Sequence, residues 1–235
     1  MAGQVRRGRP PLSEPARAAL RLGIAHEAVR LFAERGVAAT SGEDIARAAG
    51  VSPRTLWRYF ATKESCVRPL LETGAEALAS ALLAQPPEWS LAEAFQAAQA
   101  EGLGLREPSA VTGVVRLARS EPGIRAVWSQ AQLDAEPVLA GAIGRRLGED
   151  PGALRPRVLA AVVNAALRVA VEAHAWAPPQ AARSLEDTLR EALRTATAAL
   201  PERPYEPLPI RRLTVWSDQQ ARLEASGLTV HQYSG

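Results

Sequence analysis

The stretch TSGEDIARAAGVSPRTLWRYFATKE, residues 40–64, decides how this chain folds. Thr40 and Ser41 are cap-type residues ahead of a short helix with Glu43 and Asp44 in its first turn, where the positive end of the helix dipole favours carboxylates. Gly50 ends that helix. Ser52 then caps another, with Pro53 at its first position, where a missing N–H costs nothing. At about 100° per residue, Arg54, Trp57 and Arg58 fall on one side of this second helix and Leu56 and Phe60 on the other. One face therefore packs inward while two guanidinia and an indole face out. Two short helices joined through Gly50-Val51-Ser52 make a helix-turn-helix whose second helix can enter a DNA major groove, where Arg reads guanine edges. Phosphate ligands to hold it there are expected from Thr40, Ser41 and Ser52 at helix N-termini, from Thr55 and Tyr59, and from Lys63 at the start of the next helix.

Outward from this stretch the helical period continues in both directions. Leu20, Ile24, Ala28, Leu31 and Phe32 predict a helix over 15–35, stopped by Gly36. Val67, Leu70, Leu71, Ala75, Leu78 and Leu82 predict one from Lys63 to Ala84, closed by Gln85-Pro86-Pro87. Further helices are predicted over 90–102, 109–119, 122–148, 155–177 and 184–200, with Glu121-Pro122-Gly123 and Asp150-Pro151-Gly152 as the clearest punctuation. No strand alternation and no fixed-period repeat is found, so the fold class is all-α. Segment 155–177 is apolar around most of its circumference except for Asn164, Arg168 and Glu172 at i, i+4, i+8. Segment 184–200 places Leu185, Leu189, Leu193 and Ala196 on one face. Two consecutive helices with surplus apolar surface point to a homodimer interface; the alternative is that both are core elements of a monomer.

Composition narrows the function classes. The chain has 235 residues, 47% of them hydrophobic and 23% charged, as in ordinary globular proteins. Cys66 is the single cysteine, so no internal disulfide forms, and no apolar stretch is read as a membrane span; a reducing cytoplasm fits. Residues 1–63 carry 11 Lys+Arg against 5 Asp+Glu, whereas residues 64–235 carry 17 against 20. The positive field thus sits at one end, as expected for a polyanion-binding module attached to a neutral body. Lys63 is the only lysine, so arginine frequency by itself is no sign of phosphate binding.

These residues resemble the TetR-type transcriptional regulators. The resemblance covers about residues 18–66 and is carried by Ala28, Phe32 and Gly36, then Ser41, Ile45, Ala46, Gly50, Val51, Ser52, Thr55, Leu56, Tyr59, Phe60, Lys63 and Glu64. Trp57 departs from it, because the family usually has tyrosine there. The resemblance implies a dimer with an N-terminal three-helix DNA-binding domain joined by a long helix to a helical-bundle domain. It also implies a repressor that leaves its operator when a small molecule binds that bundle. Residues 117–148, LARSEPGIRAVWSQAQLDAEPVLAGAIGRRLG, are similar to an actinobacterial subgroup of mycofactocin-associated regulators.

The expected organisation is a flexible basic arm at 1–13, a DNA-binding domain at 14–62, an effector-binding and dimerisation domain at 63–200 and a Pro-rich tail at 201–235. Arg6, Arg7 and Arg9 in the arm resemble the Gly-Arg-Pro segments that follow the minor groove of A·T-rich DNA; the bland reading is a solvated terminus. Phe95, Trp128, Gln132, Asn164, Arg168 and Trp176 are candidates to line a mostly apolar cavity for an apolar or amphipathic effector, each with an alternative as a core or interface residue. A second hypothesis is control by a protein partner through the tail, without any small molecule.

No catalytic set is found: there is no GxSxG or SxxK arrangement, and Gly102-Leu-Gly104 lacks the third glycine and the strand before it. His26, His174 and His231 lie far apart without ligand-spaced neighbours, so neither metal nor cofactor is expected. Cys66 reads either as a thiol activated by Lys63 and a helix N-terminus or, more commonly, as a half-buried structural residue.

Overall fold

The computed structural model describes residues 13–100, 108–178 and 183–198; the arm with Arg6, Arg7 and Arg9 and the 201–235 tail lie outside the described residues. Among those described, nine α-helices and no strands are found: α1 (Glu14–Arg35), α2 (Gly42–Ala48), α3 (Pro53–Tyr59), α4 (Arg68–Ala84), α5 (Leu91–Ala100), α6 (Pro108–Ala118), α7 (Pro122–Leu147), α8 (Leu154–Trp176) and α9 (Leu185–Ala198). The all-helical expectation from residue spacing holds.

Most boundaries fall within two residues of expectation; the start of α4 differs by more. The helix predicted from Lys63 begins as a 3-10 turn over Glu64–Val67, and α4 starts only at Arg68. Pro69 has no N–H to offer the Ser65 carbonyl, which instead accepts from the Arg68 N–H three residues on. Thr62 and Ser65 cap this tight turn reciprocally, each backbone N–H meeting the other's hydroxyl at 3.1 Å.

A single hydrophobic core runs from Ile24 in α1 to Leu193 in α9. Helix α1 carries Ile24, Ala28, Leu31 and Phe32 inward, where they meet α2, the 3-10 turn, α4 and α6. Helix α4 lies along α7, and α7 lies along α8, so the long helices stack side by side. The Arg146 guanidinium on α7 locks the far end of α4, donating to the carbonyls of Leu82 (3.1 Å), Gln85 (2.9 Å), Pro86 (2.8 Å) and Trp89 (2.9 Å). One side chain thereby gathers a carbonyl from the last turn of α4, its cap residue and two carbonyls of the loop that follows.

Helix α8 corrects the sequence reading on one point: it is long and apolar enough to cross a membrane by length and composition. Its setting shows why it is apolar. It packs on α6, α7 and α9, burying Leu159, Ala160, Val163, Ala170, Val171 and Ala175, which makes it a central core helix. On its remaining side Leu154, Val158, Val162 and Val169 stand exposed at helical spacing. With α9 it frames a shallow groove of about 680 Å³ lined by Val162, Ala166, Val169, Ala173, Ala192 and Ala196, among others.

Candidate nucleic-acid interface

The helix-turn-helix is built by three local devices. Ser41 caps α2 in a capping box: the Asp44 N–H donates to its Oγ (3.1 Å) while its own N–H donates to Asp44 Oδ2 (3.1 Å). The Ser41 hydroxyl also donates to Asp44 Oδ2 at 2.7 Å, and that bond first, with the Ser41 N–H second, holds the Asp44 carboxyl below its ordinary range. Gly50 then turns the chain at φ +66°, a left-handed conformation that costs glycine nothing, and the Val51 N–H closes onto the Ala46 carbonyl at 2.9 Å. Ser52 caps α3 by accepting from the Thr55 N–H at 3.1 Å, with its hydroxyl 2.9 Å from that of Thr55. The underside of α3 is fixed by Leu56 and by Phe60 at its C-cap, both buried in the core cluster that also holds Ile45 and Ala46 of α2. Burying a leucine of this kind contributes about 2 kcal/mol.

Above that underside the ridge has the expected composition. Arg54 is exposed and makes no ion pair among the described residues, leaving its planar fork free. The Arg58 guanidinium lies over the Tyr59 ring, 4.9 Å from its centroid, and donates to the Tyr59 hydroxyl at 3.3 Å. Ser41, Ser52 and Thr55 surround this ridge, Ser41 and Ser52 exposed and Thr55 half-buried.

Two residues expected to hold phosphate are placed elsewhere. Thr40 is 1% exposed, and its hydroxyl donates to the Gly36 carbonyl at 2.9 Å, so it closes the loop after α1 from inside. Lys63 reaches back to the same loop, its Nζ donating to the carbonyls of Val37 (2.6 Å) and Thr40 (2.9 Å). The ammonium is thus a strut between the start of the 3-10 turn and the α1–α2 loop. Trp57 also differs from the simple outward picture: it is 42% exposed, and its six-membered ring lies across Gly42 at the first position of α2. Gly42 is the residue that spacing arguments missed. Its only signal is a glycine in a helix, where it is normally unfavourable.

Comparison with known proteins places this geometry. Residues 24–70 match the family profile described as "Bacterial regulatory proteins, tetR family", and residues 85–201 match the "MftR C-terminal domain". The chain is 32% identical over 155 residues to the HTH-type transcriptional regulator TcmR of Streptomyces glaucescens, covering 62% of this chain and 69% of that protein. The chain belongs to the TetR family. It is accordingly a DNA-binding transcription regulator and not an enzyme. A 42-residue segment is 50% identical to the Mycobacterium tuberculosis mycofactocin biosynthesis regulator MftR, spanning 18% of this chain and 21% of that one. Among solved structures, the TetR-family repressor AlkX from Dietzia shares the fold at TM-score 0.53 and 17% identity, covering 76% of this chain and 96% of that chain. A TetR-family regulator from Mesorhizobium loti does so at 0.52 and 18%, covering 80% and 98%.

The remainder of the TetR-family chain holds two adjoining cavities. An inner one of about 80 Å³ lies among α4, α6, α7, α8 and α9, with Leu71, Leu78, Val111, Leu139 and Val171 in its apolar wall. An outer one of about 750 Å³ opens between α6, α7 and α8, with Arg119, Arg125 and Glu136 at exposed or half-buried positions. Trp128, Gln132, Asn164 and Arg168 line both, so four of the six predicted cavity residues form the wall between them. Trp176 lines the outer cavity only, donating its indole N–H to the Val115 carbonyl at 3.0 Å beneath the Arg119 guanidinium. Phe95 lines neither; it is fully buried in the core, which corrects its assignment. Across the wall Glu172 accepts from Trp128 Nε1 and from Arg168, both at 2.9 Å, and Asn164 Nδ2 donates to the Gln132 carbonyl at 2.9 Å.

Cys66 resolves in favour of the structural reading. It is fully buried, and desolvation first, with the nearby Glu64 charge second, pushes its thiol up to about 12, which leaves essentially no thiolate at neutral pH. Among the described residues no group of three or more metal-type ligands is found.

Proposed function

We propose that this chain is a homodimeric repressor whose α3 helices enter successive major grooves and which a small apolar or amphipathic molecule releases from its operator. The observation that carries the reading is the amphipathic α3, with Leu56 and Phe60 anchored beneath and Arg54, Trp57 and Arg58 above. Arg54 and Arg58 read base edges in this proposal, with Trp57 beside them, while Ser41, Ser52, Thr55 and Tyr59 contact the phosphates. Residues 14–62 form the reading head, and residues 63–200 hold the effector and the partner subunit. The exposed row Leu154, Val158, Val162 and Val169 on α8, continued by the α8–α9 groove, supplies a self-complementary apolar face for the second copy. Such a regulator works in the cytoplasm, where its operator DNA is.

The test is selection of bound fragments from the source genome, followed by footprinting. Two protected half-sites one helical turn or a multiple apart, lost in Arg54→Ala for the selected sequence but not for random duplex, support the proposal. A monomer that ignores every duplex at low ionic strength overturns it.

A further inference from the structure

The least settled polar group in the core is on Asn164. The residue is 6% exposed, and its Nδ2 is bound to the Gln132 carbonyl, yet its Oδ1 receives no donor among the described residues. A flipped amide would set Oδ1 against that same carbonyl, so the orientation is fixed by its one bond. A buried acceptor left unmet costs stability and calls for an explanation. The side-chain amide of Gln132, whose backbone carbonyl holds Asn164 Nδ2, has no partner among the described residues either, and both residues line the inner and the outer cavity.

Of the charges nearby, Arg168 pairs with Glu172, while Arg119, Arg125 and Glu136 line the outer cavity and not the inner one. Both oxygens of Glu172 are occupied, one by the Trp128 indole N–H and one by Arg168. Arg125 is engaged by the carbonyls of Ala118 (3.0 Å) and Arg119 (2.7 Å), and Arg119 itself is exposed at the mouth. At the depth where the cavities meet, the unmet chemistry is therefore one acceptor, one neutral amide and the Arg168 N–H groups outside its bond to Glu172, a charge that carboxylate already neutralises. The inner cavity, about 80 Å³, is smaller than the ~150 Å³ that accommodates benzene, so only a narrow apolar end enters it. The rest of a ligand must lie across the wall, with its polar group beside Asn164.

We infer that the effector of this site is a neutral, hydroxyl-bearing apolar molecule whose O–H donates to Asn164 Oδ1 and accepts from Gln132 Nε2; this rests on the effector reading above. A hydroxyl fills both roles with one atom. A carboxylate cannot donate, sets its oxygens against Asn164 Oδ1 and adds a second negative charge beside Glu172, which already neutralises Arg168. An ether accepts from Gln132 but leaves Asn164 unmet. A site built to hydrogen-bond a hydroxyl rejects analogues lacking it because its own buried groups are then stranded.

The experiment titrates the full-length dimer with three probes of matched length at pH 8: 1-octanol, its isomer heptyl methyl ether, and octanoate. Binding is read from tryptophan emission, and operator release is measured separately by fluorescence anisotropy. 1-Octanol is expected to bind about tenfold tighter than either competitor, the scale of one buried hydrogen bond. The gap to the ether should shrink to about twofold or less in Asn164→Leu. Gln132→Met, at a half-buried position and so safer for folding, should narrow it as well. Octanoate or the ether binding as tightly as 1-octanol, or a gap unchanged in both variants, overturns the hydroxyl assignment and leaves the effector reading standing. Selective 1-octanol binding without operator release supports the assignment while overturning the release mechanism. No binding by any probe overturns the assignment and the site together.

Discussion

The indole of Trp57 occupies the space in which a side chain at residue 42 would begin: a Cβ placed on Gly42 lies 2.1 Å from Trp57 Cζ2 and 2.4 Å from Cη2. An aromatic ring on the recognition helix and a glycine opening the helix before it are thus one packing unit. The ring braces α3 against α2, which sets the angle at which Arg54 and Arg58 leave the surface.

Gly42→Ala should therefore destabilise the protein by about 1–3 kcal/mol by overpacking, although alanine is the better helix former. In a Trp57→Ala background the same substitution should be neutral or stabilising. Chemical denaturation of the four proteins gives the coupling energy, and a value near zero removes the proposed unit.

The strut made by Lys63 leads to a separable expectation. Lys63→Met leaves the Thr40 carbonyl without its donor and the Val37 carbonyl with only the Thr40 N–H at 3.3 Å, and should cost about 1–3 kcal/mol of stability. Because the ammonium is engaged by the protein, the dependence of operator affinity on salt should scarcely move. Arg54→Ala should instead leave stability almost unchanged and relax sequence preference by about 1–3 kcal/mol. A fall of about one in the salt slope for Lys63→Met would show that the ammonium sits on a phosphate after all.

A chain of ion pairs joins the reading head to the cavity walls. Arg68 on α4 meets Glu72 (2.6 Å) and, on α7, Asp134 (2.6 Å), while Arg21 on α1 meets the same Glu72 at 3.3 Å. All four groups are partly exposed, so the network adds little to stability. It does tie α1 to α4 and α7, two of the helices that line the inner cavity. Arg68→Ala should change the melting temperature by only a few degrees and alter the ratio of operator affinities with and without effector about three- to tenfold. Paired titrations that return the wild-type ratio would sink this coupling role.

The α2 capping box predicts an acid sensitivity. The Asp44 carboxyl titrates below its unfolded value because the Ser41 hydroxyl and N–H bond its charged form. Its stabilising contribution is therefore complete above the unfolded carboxylate range near pH 4, and is lost as pH falls through the lower folded value. Asp44→Asn should be less stable than wild type at neutral pH, and the difference should narrow below about pH 4. Parallel acid melts test this; a gap that widens in acid reverses the assigned sign.

At the assembly level, Val169 is 54% exposed on the apolar row of α8. Val169→Glu should leave each protomer's helicity intact while raising the dimer dissociation constant at least tenfold, with operator affinity falling alongside it. Sedimentation at micromolar and nanomolar concentrations reads the change. An unaltered dimer would move the interface to another face.

Much of this is legible in the amino-acid sequence. Spacing alone separates Leu56 and Phe60 from Arg54, Trp57 and Arg58, and the caps Ser41 and Ser52 with the turn at Gly50 set the register. These depend on contacts within about four residues, which periodicity and cap chemistry encode directly. The i, i+4, i+8 row of Asn164, Arg168 and Glu172 also reads as one stripe. Spacing could not show that Trp128, 44 residues from Glu172, would donate to it.

What only the tertiary structure decided is which polar atoms find partners and which side chains find room. Thr40 and Lys63 read as phosphate ligands because serine, threonine and lysine near helix ends commonly are; the fold turns both onto the α1–α2 loop, 23 to 26 residues from Lys63. Phe95 read as a cavity residue and lies in the core, while Cys66 read two ways until burial chose one. The physical reason is the same in each case. A helix's faces are written in its own sequence, but desolvation and hydrogen-bond satisfaction are settled by whatever distant segment comes to lie on those faces.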